Sequence, residues 1–123
     1  MKKKVIASLG IKNEEWIIEK TLNVLNRFCD KIIIVDDHST DNTESICRSF
    51  DKVEWNVNVE HDWKTRTDGV QKNIAIQAIK PHNPDYVLFL DGDEIPFRNM
   101  PDFIDERDDS VDLWKLPFVH LRG

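Results

Sequence analysis

The sequence predicts an α/β protein built on a mostly parallel sheet of about five strands flanked by helices. Three observations carry this expectation. Strand-like and helix-like stretches alternate along the 123 residues, the pattern of βαβ units joined by right-handed crossovers. Residues 32–35 (IIIV) and 86–90 (YVLFL) are continuously apolar, as strands covered on both faces are. Polar clusters then follow three of the strands, where an open parallel sheet presents its ligand site.

Residues 5–9 read as a short buried strand, broken by residues 10–12. Asn13 reads as a helix N-cap, with Glu14 and Glu15 in the first turn, where acidic side chains complement the helix dipole. Ile18, Leu22, Leu25 and Cys29 recur at helical spacing, so the first helix is expected to run to about Phe28. Residues 32–35 form the second strand, which stops at Asp36-Asp37-His38. Asp41 and Glu44 make a D-x-x-E capping pattern for a second helix through Ile46, Cys47 and Phe50.

Val53, Trp55, Val57 and Val59 alternate with Glu54, Asn56, Asn58 and Glu60. Such alternation describes a strand with one face in water, towards a sheet edge. Residues 61–69 are a polar loop. Val70, Ile74 and Ala78 mark a third helix, ended by Pro81, Asn83 and Pro84. Residues 86–90 make the fourth strand. Pro101 opens a short helical turn near Phe103 and Ile104, and residues 113–119 make a last strand. Nothing in residues 1–123 reads as a linker or repeat, and the length suits one domain with one core.

Composition narrows the function. The chain is 40% hydrophobic and 33% charged, with four Trp and six Phe to fill a core. Its net charge of -6 opposes binding of nucleic acid over a broad face. A small anion can still be held by local donors or by a metal. No apolar run is long enough to span a bilayer. The residues after Lys2-Lys3-Lys4 meet Lys12-Asn13-Glu14-Glu15 too soon for a secretory segment. Cys29 and Cys47 have no metal-ligand spacing and read as reduced core residues, which points to a cytoplasmic setting. Contact with a membrane, if any, would be peripheral.

The chemistry gathers in the three clusters after strands: Lys12-Asn13-Glu14, Asp36-Asp37, and Asp91-Gly92-Asp93-Glu94. The last packs three carboxylates into four residues, which repel one another unless compensated. A hard divalent cation such as Mg²⁺ or Mn²⁺ resolves that conflict and can keep positions open for substrate phosphates. Gly92 lets the backbone turn and a ligand approach. The plain alternative is a solvated acidic turn. The run is not an EF-hand loop, because Pro96 stands where that loop needs Gly and Asp102 where it needs Glu.

A carboxylate of Asp36 or Asp37 can accept a base imide N–H or a ribose hydroxyl; the plain alternative is turn formation. Arg66 and Lys72 are the nearest cations for a diphosphate, with Lys72 early in the third helix. His120 is a weaker candidate for a metal shell, and His38, His61 and His82 carry no spacing signal.

Together these segments resemble family 2 glycosyltransferases, the largest group with the GT-A fold, whose nucleotide-binding half is Rossmann-like. The matching pieces are residues 8–15 (SLGIKNEE), 32–43 (IIIVDDHSTDNT), 69–75 (GVQKNIA) and 86–94 (YVLFLDGDE), in an order that fits. The K-N-E-E start, His61-Asp62-Trp63, Q-K-N and the D-x-D-E ending look like the branch of lipopolysaccharide-core glucosyltransferases.

The resemblance implies transfer of a sugar from a nucleotide-diphosphate sugar, foremost a UDP-sugar, to a hydroxyl of a glycan or glycoconjugate. Mn²⁺ or Mg²⁺ would be the cofactor, and inversion at the anomeric carbon the expected outcome. It implies Asp37 on the base, Asp91 on the ribose or the metal, and Asp93 as principal metal ligand. Residues 69–73 would lie against the nucleotide, with Lys72 where many members have Arg. Residues 9–13, ending at Asn13, would flank the base; Gly10-Ile11-Lys12 departs from the Pro common in that loop.

The resemblance covers roughly residues 4–97, the donor-binding portion of a truncated catalytic domain. No catalytic base stands out; Glu94, Asp102 and Asp105 are available.

Three other readings compete. A phosphoacceptor receiver domain also carries acidic residues after apolar strands, but its acidic pair should follow the first strand. A sugar nucleotidyltransferase should carry a Gly-rich phosphate loop after the first strand, and Gly10 alone does not make one. A nucleotide-binding module without catalysis is the third.

Overall fold

The computed structural model describes residues 4–57, 68–92, 94–96 and 118–120. The elements are β1 (Val5–Ile11), α1 (Ile18–Asn26), β2 (Lys31–Asp36), α2 (Thr43–Arg48), β3 (Val53–Val57), α3 (Asp68–Ile79), a 3-10 turn (Lys80–His82), β4 (Tyr86–Asp91), β5 (Glu94–Pro96) and β6 (Phe118–His120). The first four strands form one parallel sheet in the order β3-β2-β1-β4. The expected α/β architecture is therefore present, and β3 lies at a sheet edge as its alternation implied.

Two packed layers cover this sheet because its central strands are apolar on both faces. Val5, Ala7, Leu9 and Ile11 of β1 and Ile32 and Ile34 of β2 join Ile18, Leu22 and Leu25 of α1 in one core. Ile6 of β1 and Ile33 and Val35 of β2 point the other way, onto Ala75 and Ile79 of α3. A strand's side chains alternate between faces, so a run such as Ile32-Ile33-Ile34-Val35 is buried throughout only when both faces are covered. Each such side chain is worth roughly 1.5–3 kcal/mol relative to exposure.

Several boundaries differ from the sequence reading. β1 extends through Gly10 to Ile11 because Gly10 pairs with Val35 on one side and Asp91 on the other. α1 begins at Ile18, and Asn13 is not its cap: Asn13 adopts φ 51, and the N-cap position is Ile17. The reciprocal D-x-x-E box of α2 does not form. Asp41 accepts the Thr43 N–H at 3.0 Å, but Glu44 instead pairs with Arg48 at 2.7 Å. The α3 face towards the sheet centres on Ala75 and Ile79, with Ile74 and Ala78 beside them. Asn83, at φ 49, stops the 3-10 turn that follows.

The last strand does not extend the main sheet. Phe118–His120 pairs antiparallel with Glu94–Pro96, a strand the sequence pattern did not reveal. Three residues are too few for periodicity to register. The helical turn expected near Phe103 lies outside the described residues. Lys52 closes the far end of α1, its Nζ donating to the carbonyls of Asn26 at 2.8 Å and Cys29 at 2.7 Å. A cation there also complements the helix dipole. Cys29 and Cys47 are free and buried, as expected.

Candidate functional site

Strand order reverses at β1. The chain steps outward from β1 to β2 to β3, then crosses back so that β4 lies on the other side of β1. The loops after β1, β2 and β4 consequently share one edge, the position at which open parallel sheets generally bind ligands. Asp91, the last residue of β4, is in register with Gly10, while Asp36, the last of β2, is in register with Ile11. The two acidic stretches thus flank β1, about 10 Å apart by the spacing of two strand intervals.

The loops after β1 and β2 are laced together. Asn13 N–H donates to Ser39 Oγ at 2.7 Å, and Asn13 Oδ1 accepts the N–H groups of Thr40 at 2.7 Å and Asp41 at 3.3 Å. Glu14 N–H donates to Thr43 Oγ1 at 2.9 Å. Glu15 N–H donates to Asp41 Oδ2 at 3.3 Å, and Glu15 Oε2 accepts the Asn42 N–H at 3.0 Å. Burial pushes the Asp41 carboxyl up, but hydrogen bonds from the Thr43 hydroxyl and from the amides of Thr43 and Glu15 outweigh it and hold it below the ordinary 3.8. The polar residues that looked like two separate helix caps instead satisfy each other's loops.

Within the acidic pair, the two carboxylates differ. Asp36 is buried, and its oxygens accept the Ser39 N–H at 2.8 Å and the Ser39 hydroxyl. His38 takes φ 60 so that Ser39 can fold back to make those bonds. Asp37 continues the ladder, its N–H donating to Ile11 O at 2.9 Å, and its side chain is only half-buried at the sheet edge.

Gly92 ties the third loop to this pair. Its carbonyl accepts the hydroxyl of Thr21, a fully buried residue of α1, at 3.0 Å. A Cβ at Gly92 would come within 2.8 Å of Ile11 Cγ2 and 3.0 Å of Glu14 Cγ. Its φ is not positive, so Gly92 is required here for close approach rather than for an unusual turn. Asp91 is exposed at the mouth of the same edge.

The structure thus brings together Asn13, Asp36, Asp37 and Asp91 of the sequence-predicted set. Lys72 falls in the first half of α3, which follows β3 and so starts from the same sheet edge. Arg66 and Asp93 lie outside the described residues, as do His61-Asp62-Trp63, Asp102 and Asp105. Among the described residues no group of three or more His, Cys, Asp or Glu is arranged to hold a metal ion. Sequence reasoning missed Ser39, Thr40, Thr43 and Thr21. Their signal was the run of hydroxyl residues in S-T-D-N-T, and one Thr inside an apolar helical stripe.

Strand order also separates the competing readings. A receiver-type doubly wound sheet has its third strand beside the first, in the order 2-1-3-4-5. Here β3 lies beside β2 instead, which excludes the receiver reading. The sequence profile of Glycosyl transferase family 2 matches residues 10–111.

The chain belongs to glycosyl transferase family 2.

Solved structures agree in fold. Glucosyl-3-phosphoglycerate synthase from Mycobacterium tuberculosis, in complex with Mn²⁺, uridine diphosphate and glucosyl-3-phosphoglycerate, superposes with a TM-score of 0.58 at 22% identity, over 84% of this chain and 37% of its own. The same enzyme with Mn²⁺, uridine diphosphate and phosphoglyceric acid gives the same figures. A 4-diphosphocytidyl-2C-methyl-D-erythritol synthase superposes with a TM-score of 0.53 at 16% identity, over 76% of this chain and 48% of its own. At these identities the likeness is one of fold. This family 2 chain spans well under half the length of the synthase it matches first. A search of curated protein sequences gave no match. No helix among the described residues is long and apolar enough to cross a membrane.

Proposed function

We propose that residues 1–123 form one donor-binding domain of a glycosyltransferase. The donor is a nucleotide-diphosphate sugar, foremost a UDP-sugar, and the acceptor is a hydroxyl of a glycan or glycoconjugate. The observation that carries this reading is the flanking of β1 by Asp37 and Asp91 where strand order reverses, in a chain of this family.

Asp37 accepts the imide N–H of the base. Asn13 holds the loops after β1 and β2 together at the base, and Asp36 fixes the Ser39 turn behind Asp37. Lys72 and Arg66 are assigned to the diphosphate. A divalent cation, Mn²⁺ or Mg²⁺, suits the oxygen donors of Asp91 and Asp93. When bound, it neutralises charge on the departing diphosphate. The acceptor hydroxyl attacks the anomeric carbon, the bond from that carbon to the diphosphate oxygen breaks, and the nucleoside diphosphate leaves. The base that takes the hydroxyl proton is not assigned to this chain. A cytoplasmic setting, where nucleotide sugars are made, suits two reduced cysteines.

Calorimetric titration with UDP and GDP, each with and without Mn²⁺, tests the reading. Metal-dependent binding of UDP is the expected result. Absence of binding under every condition would remove the reading, and binding without turnover when acceptors are supplied would favour a non-catalytic nucleotide-binding module.

A further inference from the structure

We infer that Thr21 is a positioning residue for the turn at Asp91-Gly92, an inference that rests on the donor-site reading above. Thr21 is fully buried in α1 among Ile18, Leu22 and Leu25, on a stripe that packs the helix against the sheet. An aliphatic residue would be the cheaper occupant, since burying a hydroxyl without a partner is costly. The hydroxyl does have a partner, far away in sequence: it donates to the Gly92 carbonyl at 3.0 Å.

That bond acts on the turn through covalent geometry. A peptide unit is planar, so the bond that fixes the Gly92 carbonyl direction also fixes the plane of the peptide that carries it. On the opposite side, Gly92 is wedged against Ile11 and Glu14 so tightly that no Cβ fits. The strand pairing of Asp91 with Gly10 holds the turn's first residue. The turn is therefore gripped from three sides, by β1, by the loop after β1 and by α1. The grip from α1 is a side-chain hydrogen bond that a single substitution removes. Helix α1 thereby holds the backbone that immediately follows Asp91.

The test compares Thr21→Val, which keeps the volume and removes the donor, with Thr21→Ser, which keeps the donor. Mn²⁺-dependent UDP affinity should fall about tenfold in Thr21→Val, the scale of one buried hydrogen bond. It should stay within about threefold of the unsubstituted chain in Thr21→Ser. Equal losses in both, or none in Thr21→Val, would overturn the inference. If the unsubstituted chain binds no UDP with Mn²⁺, the donor-site reading fails, and the positioning role is then decided by NMR without metal. A Thr21 hydroxyl proton protected from exchange, with a Gly92 carbonyl resonance that shifts in Thr21→Val but not in Thr21→Ser, supports it. A freely exchanging hydroxyl in the unsubstituted chain overturns it, whether or not Thr21→Val folds.

Discussion

Asn13 Oδ1 accepts the backbone N–H of Thr40 at 2.7 Å, joining the loops after the first two strands across 27 residues of sequence. With the bonds of Glu14 and Glu15, this side chain ties together the loops beside Asp37. The same residue occupies left-handed backbone space at φ 51, which Asn tolerates better than other non-glycine residues.

Asn13→Ala removes these bonds and leaves a Cβ in an unfavourable conformation. It should destabilise the chain by about 1.5–3 kcal/mol. Asn13→Gly, which restores conformational freedom but not the bonds, should fall between the two. Urea unfolding measures both; an Asn13→Gly variant as unstable as Asn13→Ala would show that backbone conformation contributes nothing.

Gly92→Ala should destabilise by about 1–3 kcal/mol through overpacking against Ile11 and Glu14. Because the fault is steric, it should be partly relieved in an Ile11→Ala background. A double-mutant cycle reads this as a coupling energy. Strict additivity would mean that the turn moves away instead of pressing on Ile11.

Asp37→Ala should weaken UDP binding by about 1.5–3 kcal/mol, the loss of one charge-assisted hydrogen bond. The ladder bond from the backbone N–H of Asp37 to Ile11 is kept in this variant. Titrations with UDP and with a nucleotide lacking an imide N–H separate base reading from general electrostatics. An equal loss for both nucleotides would contradict the base-reading role.

Burial pushes the thiols of Cys29 and Cys47 up to about 12 from 9.0. The folded chain keeps both protons where the unfolded chain releases them, so stability is full below pH 9 and declines as pH rises towards 12. Each thiol should steepen the decline by up to about 1.4 kcal/mol per pH unit in that window. Cys29→Ala and Cys47→Ala should each be less stable at pH 7 yet show a flatter alkaline profile. A native chain whose thiols react at pH 8 as fast as in denaturant would contradict this burial.

Much of the fold was legible in the sequence. The continuous apolar run at residues 32–35 is buried on both faces, and that is where the core forms, whereas in the run at residues 86–90 Leu88 and Leu90 are buried but Phe89 is 49% exposed, so that strand is not covered on both faces as its pattern implied. The convergence of the loops after β1, β2 and β4 follows from the βαβ alternation. The role of Asn13 was not legible. Its sequence neighbours, Glu14 and Glu15, make an ordinary helix start, and it is the approach of residues 39–41 that supplies an acceptor in Ser39 and donors in Thr40 and Asp41 that outcompete the helix. Glu44 was misjudged for a local reason, since Arg48 four residues on along the same helix offers a charged partner.

By itself, then, the sequence determined the class of fold, the strands that fill the core and the edge on which chemistry gathers. These depend on hydrophobic periodicity and chain order, which are local and additive along the chain. Tertiary structure decided which of two adjacent aspartates turns inward, why residue 92 is glycine and what a buried threonine does in an apolar helix. Those outcomes depend on partners that range from Ser39, near Asp36 in sequence, to Ile11, far from Gly92. A hydrogen bond or a steric contact exists only once both groups have been brought within a few ångströms, and that distance is set by packing, not by sequence pattern.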